Sequence, residues 1–145
     1  MKLIALLWLI PTVACVAATE EQLNKTFPVQ PGGKLVVNVD FGELTVSTSA
    51  TSEVAVDVWR KVTRKNKADE EAFLKECPVK FAQDGNTVTV ESRRKTKDSW
   101  FRGWQGFGNR TEGKYTLRVP AQFNVHLNTA GGGITVTDLT GEVDA

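Results

Sequence analysis

The side chains able to do chemistry are few. The chain has a single histidine, His126, in the stretch FNVHLN. Phe123, Val125 and Leu127 alternate around it, so a strand's period of two turns them inward and leaves His126 outward beside Asn124 and Asn128. An outward imidazole on a polar ladder lacks the pocket that a Ser-His-Asp triad needs. Two cysteines and one histidine supply no metal-ligand cluster. Asp69, Glu70 and Glu71 crowd the start of a helical segment, where the macrodipole favours negative charge. They read as helix-start residues rather than a catalytic carboxylate pair. Glu43 and Glu142, each after a glycine, read as solvated turn residues. The expectation is a non-enzymatic protein with no catalytic residue, no metal and no cofactor.

The most distinctive segment is SRRKTKDSWFRGWQGFGNRTEGK, residues 92–114. Seven basic residues face only Asp98 and Glu112 here, with Trp100, Phe101, Trp104 and Phe107 among them. Cations interleaved with aromatic rings can hold an anionic surface, a sugar face or a stacked base. Trp beside Arg is also a common hot-spot pairing. Trp100, Arg102, Trp104 and Phe107 are the candidate binding residues, for an envelope surface, a glycan or a protein partner. The structural alternative is a long hairpin loop whose rings fold back over the end of the core.

Charge and leader narrow the partners. The formal net charge is +1, and loss of residues 1–18 would remove Lys2 and no acid, bringing it to about zero. A neutral chain is not built as a general nucleic-acid binder. Met1 and Lys2 form a positive start, and LIALLWLI (3–10) is an apolar run too short to span a bilayer. Pro11 breaks it, and Val16 and Ala18 put small residues at −3 and −1 of a cut before Thr19. This is the pattern of a secretory signal peptide over residues 1–18, and it predicts export to the periplasm or beyond. TVAC (12–15) is a second possible cut, with Cys15 as a lipidation site that would anchor the protein to a membrane. Cys77 reads as a small buried hydrophobe at a helix end.

Strand signals position these residues. KLVVNVDFGELTV (34–46) alternates through Leu35, Val37, Val39 and Phe41, is interrupted at Gly42, and resumes at Leu44 and Val46. EVAVDVWRKV (53–62) turns Val54, Val56 and Val58 inward. KADEEAFLKECP predicts a helix over about 67–77, with an apolar stripe of Ala68, Ala72 and Phe73 and a stop at Pro78. VKFAQDGNTVTVES (79–92) reads as a hairpin turning at Asp84-Gly85. KYTLRVP (114–120) and FNVHLN (123–128) are two further strands. The chain repeats itself: with Gly33 set on Gly132, Leu35 falls on Ile134, Val37 on Val136, Gly42 on Gly141 and Leu44 on Val143. Spaced glycines between short alternating strands suit the corners of stacked β-coils. The run Gly131 to Gly133 precedes β-branched residues and no lysine, so it reads as such a corner and not a phosphate loop.

FPVQPGGKLVVNVDFGELTV and YTLRVPAQFNVHLNTAGGGITVTDLTGEVDA, behind a signal peptide, resemble the putative adhesin family of bacterial envelope proteins, also called the DUF4097 β-strand repeat family. The tail is the more specific part: Val-Pro closing a strand, then Phe-Asn-Val, then Thr-Ala-Gly-Gly leading into G-x-I-x-V units. The resemblance covers most of residues 27–145. It implies an all-β repeat architecture, an envelope or secreted location and a binding or adhesive role, with no catalytic residues to carry over. The expected fold is all-β, with short antiparallel strands and one short helix leading into a C-terminal β-solenoid-like repeat. Residues 19–145 form one adhesin-like domain in this reading. The stop at Ala145, where the family runs on, predicts a fragment. The competing readings are a carbohydrate-binding or carbohydrate-processing β-solenoid, and a structural or regulatory envelope component.

Overall fold

A computed structural model describes residues 18–94 and 109–145. Ten strands and one helix follow in the order β1 (Thr19–Pro28), β2 (Lys34–Val39), β3 (Glu43–Ser49), β4 (Glu53–Thr63), α1 (Lys67–Glu76), β5 (Lys80–Asp84), β6 (Thr87–Ser92), β7 (Arg110–Pro120), β8 (Asn124–Thr129), β9 (Ile134–Val136) and β10 (Val143–Asp144). They form two sheets of five strands, ordered β1-β4-β7-β3-β9 and β10-β8-β2-β6-β5. The all-β expectation with one short helix holds.

Alternation builds the core. Leu35, Val37 and Val39 of β2 pack in one buried cluster with Val54, Val56 and Val58 of β4 and with Tyr115, Leu117 and Val119 of β7. Each such side chain removed from water stabilises the fold by roughly 1.5–3 kcal/mol. β7 also pairs antiparallel with β4 along nearly its whole length, from Arg110 opposite Thr63 to Arg118 opposite Ala55.

The antiparallel expectation needs correcting. Among the described residues, β1–β4, β4–β7 and β5–β6 are antiparallel. The ladders β2–β6, β2–β8, β8–β10, β3–β7 and β3–β9 are parallel. The reason lies in the glycine corners. At each corner the chain leaves one sheet for the other, so a strand that later returns to the first sheet runs in its original direction.

The internal repeat covers one passage from sheet to sheet and back. Leu35 stands opposite Val125, and Val125 opposite Val143, in one sheet. Leu44 stands opposite Ile134 in the other. The two repeat copies, β2–Gly42–β3 and β9–Gly141–β10, therefore start on different sheets. Gly33 to Gly42 and Gly132 to Gly141 each span nine residues. Nine is odd, so an unbroken alternation would turn Leu44 outward. The corner at Gly42, with φ of +129°, resets the phase and Leu44 is fully buried.

The corners stack on one another. Gly42 N–H donates to the Gly131 carbonyl at 2.8 Å, and Leu44 N–H to the Gly133 carbonyl at 2.9 Å. Gly132 has φ of +137°. A Cβ there would fall against the carbonyl of Gly42, well inside van der Waals contact. The hairpin is present, but its turn residues are Gly85-Asn86, since Asp84 still pairs with Thr87. Gly85 carries the positive φ of 56° at the first turn position, where two-residue turns of this kind favour glycine.

Two substitutions test this frame. Leu35→Ala should cost about 2–5 kcal/mol in equilibrium urea unfolding, from lost burial and the cavity left behind. Gly132→Ala, which leaves the core untouched, should cost roughly 2–4 kcal/mol through backbone strain and the crowded corner.

Candidate functional site

Trp100, Arg102, Trp104, Phe107 and Cys15 lie outside the described residues. The stems of the basic-aromatic segment lie inside them, after β6 and at the start of β7. Both lead to the end of the sheets where α1 docks.

The docking begins at Arg60. β4 turns Val54, Val56 and Val58 inward, and strict alternation then turns Arg60 inward too, with no exposure. A buried guanidinium is tolerated only when its donors are met. Glu21, directly opposite on β1, meets two of them: Nε donates to its Oε2 at 2.7 Å and Nη2 forms the ion pair with the same oxygen. Nη1 donates to the Cys77 carbonyl at 2.5 Å and to Ser92 Oγ at 3.4 Å. The Cys77 carbonyl belongs to the C-cap of α1, where unpaired carbonyls and the dipole favour a cation. One side chain thus ties β1, α1 and the end of β6 to β4. Cys77 is buried at a helix end as expected, with Sγ 3.5 Å from Ser92 Oγ. Beside them the buried Tyr115 hydroxyl has no hydrogen-bond partner among the described residues. Burial pushes its pKa up.

α1 itself departs from the expected stripe. It spans Lys67–Glu76, with Asn66 as N-cap accepting from Asp69 N–H at 2.8 Å. Ala68 and Ala72 are exposed, and the buried residues are Phe73 and Glu70. Glu70 is not a solvated helix-start acid. Its Oε2 accepts from the Thr19 hydroxyl at 2.6 Å and its Oε1 from Arg64 N–H at 3.0 Å. The Thr19 hydroxyl, and next the Arg64 amide, hold its carboxyl below the usual range.

Phe73 gathers the two stems. Arg64 lies over its ring at 4.4 Å and Arg94 at 5.3 Å, with Phe41 tilted against it at 5.8 Å. Arg64 also donates to the Arg110 carbonyl and to Thr111 Oγ1, both at 2.9 Å, at the entry to β7. Arg94 N–H donates to Asp40 Oδ2 at 2.8 Å, at the exit from β6. Burial, then the neighbouring Arg94 charge, lowers the Arg64 pKa. The result is a basic surface around one buried ring, with Arg93, Arg94 and Arg110 exposed. Such a surface can attract an anionic or aromatic-binding partner; it holds no nucleophile–base pair.

His126 faces outward as expected, and its Nδ1 lies 2.7 Å from Asp144 Oδ2 across the parallel β8–β10 ladder. Glu43 and Glu142 are exposed, as turn residues should be.

No protein-family model and no curated protein matches the chain. Solved structures of low identity do. A putative adhesin from Bacteroides fragilis is 11% identical with a TM-score of 0.44, over 85% of this chain and 55% of its own. A putative cell adhesion protein from Clostridium sporogenes is 12% identical with a TM-score of 0.47, over 85% and 57%. A putative lipid binding protein from Parabacteroides distasonis is 7% identical with a TM-score of 0.31, over 74% and 39%. The chain thus spans a little over half the length of the first two. Likeness at this level does not reach function.

Removing the Arg60 side chain should be severe. Arg60→Ala leaves Glu21 and the Cys77 carbonyl without their cation and should cost about 3–5 kcal/mol in urea unfolding. Acid should act through Glu70. Its folded pKa lies below the ordinary 4.5, so its contribution is present above that value and is lost as pH falls through the lowered one. Stability measured against pH should drop there, and the drop should shrink in Glu70→Gln.

Proposed function

We propose that the chain is an exported, non-enzymatic, adhesin-like β-repeat protein of the cell envelope. Its contact surface includes the basic end of the sheets around Phe73, and Trp100, Arg102, Trp104 and Phe107, in the segment between β6 and β7, are its candidate binding residues. The observation that carries this reading is that both stems of the basic-aromatic segment are tied to one place: Arg94 lies over the Phe73 ring, and Arg64, over the same ring, holds Arg110 and Thr111. The stems are tied to the core while Arg93, Arg94 and Arg110 stay exposed. Cations and aromatics supplied together favour an anionic glycan, an anionic lipid surface or an acidic protein face.

The leader over residues 1–18 and the resemblance of residues 27–145 to the putative adhesin or DUF4097 family support export and an envelope setting. The stacked glycine corners support a solenoid-like C-terminal part, in which parallel strands add coil by coil. Among the described residues no helix is long and apolar enough to cross a membrane; a lipid at Cys15 is the alternative to a cut before Thr19. The near-neutral mature charge argues against a nucleic-acid partner.

The test is a double substitution, Trp100→Ala with Trp104→Ala. Binding to an anionic glycan array and to phosphatidylglycerol vesicles should fall at least tenfold with the unfolding midpoint unchanged. A lowered midpoint with no binding by the native chain would instead assign the two rings to covering the core.

A further inference from the structure

Glu70 is a surface-helix carboxylate that is only 1% exposed. Burial of a carboxylate calls for a counter-charge. Among the described residues, no lysine or arginine side chain forms an ion pair with it. Its hydrogen-bond partners are neutral donors, the Thr19 hydroxyl at 2.6 Å and the Arg64 amide at 3.0 Å, and the Arg64 guanidinium acts on it only at longer range. Thr19 is the first residue of β1, held opposite the buried Val62 of β4. Ala18, just before it, is half-buried and outside the strand. The backbone of Thr19 therefore lies beside a carboxylate with no cation in direct contact, at the bond the leader pattern marks for cutting.

We infer that the Ala18–Thr19 bond is a processing site and that Glu70 is a prepared socket for the α-ammonium this cut creates. The inference rests on the exported reading above. A peptidase adds water across the amide. The C–N bond breaks, Ala18 keeps the new carboxylate, and the Thr19 nitrogen takes up protons to become an ammonium at neutral pH. A neutral donor to Glu70 becomes a charged one at the same place. Processing thereby clamps β1 to α1. A cut before Cys15 with lipid attached would leave the Thr19 nitrogen as an amide and the socket unfilled.

The other charged groups around this point are Lys61 on β4, Arg64 just after it, Glu20 and Glu21 on β1, Asp69 on α1 and Arg110 on β7. Lys61 is engaged with Glu20, and Arg60 with Glu21. Arg64 is directed at Arg110 and Thr111. The sign of the effect follows. An ammonium paired with Glu70 has a raised pKa, so the added stability is present below the ordinary amine value of about 7.7–8.0 and is lost as pH rises through the raised one.

The experiment expresses the full chain with its leader in an exporting bacterial host. The purified protein is examined by N-terminal sequencing, mass spectrometry and an ¹⁵N NMR titration of the terminal amine. The expected result is a chain starting at Thr19 whose amine pKa lies at least one unit, a tenfold change in affinity for the proton, above the ordinary value. Glu70→Gln should return it to that value. A second chain that starts at Ala18 keeps Glu70 intact and should also show an ordinary amine, which covers the case where Glu70→Gln fails to fold. A start at Thr19 with an ordinary amine overturns the socket and leaves export standing. A start at a lipid-bearing Cys15 overturns the processing site and leaves export standing. A chain retained inside the cell from Met1 overturns the exported reading and the socket with it.

Discussion

A guanidinium inside a wall of valines is the constraint around which one end of this protein is arranged. Arg60 is fully buried, and each element at that end answers one of its donors. β1 supplies Glu21 by direct cross-strand register. α1 supplies a carbonyl that a helix end would otherwise leave unpaired. β6 supplies Ser92. Shift any of these and an unmatched charge is left in an apolar setting. The requirement therefore selects a geometry more than it adds stability, since a buried ion pair barely exceeds the cost of drying its members. The dock of α1 owes little to its own hydrophobicity, with one phenylalanine and one glutamate inward.

That dock decides where the basic surface lies. Phe73 is held by α1 and Phe41 lies beside it, while the two arginines over the ring arrive from the β4–α1 connection (Arg64) and from the exit of β6 (Arg94). The rigid side of the candidate site is thus built from β4, α1 and the ends of β6 and β7. Cation–π contacts of this kind are worth about 0.5–2 kcal/mol each, enough to orient a side chain without immobilising a partner's access to its charge.

Much of the sheet was readable in advance because its strands alternate cleanly. Val54 to Val58, Leu35 to Val39 and Phe123 to Leu127 are all buried where a period of two puts them. The same period extended by one step would have buried Arg60, and the chemistry of the residue hid what its position stated. β1 was not readable. TEEQLNKTFP carries apolar side chains only at Leu23 and Phe27, and it is held by pairing with β4. Glu70 was misread for a similar reason: an acid in the first turn satisfies the helix dipole in isolation, and only the tertiary contact with Thr19 shows its burial. The antiparallel expectation failed because hairpin turns are local in sequence and parallel coils are not. The glycine repeat was visible, but its sheet-switching meaning needed the register.

That register fixes how this fold can change length. Val125, Ile134 and Val143 are nine residues apart and all mark the same point of a strand, on alternating sheets. An insertion or deletion of nine residues in this region would keep each inward residue inward but exchange the two sheets. One of eighteen would restore both. Any other number would turn valines outward or misplace a glycine. The chain's tolerance of insertions is therefore quantised. Chains with this register would be expected to differ in length by multiples of nine residues, with irregular additions confined to connections outside the stacked corners.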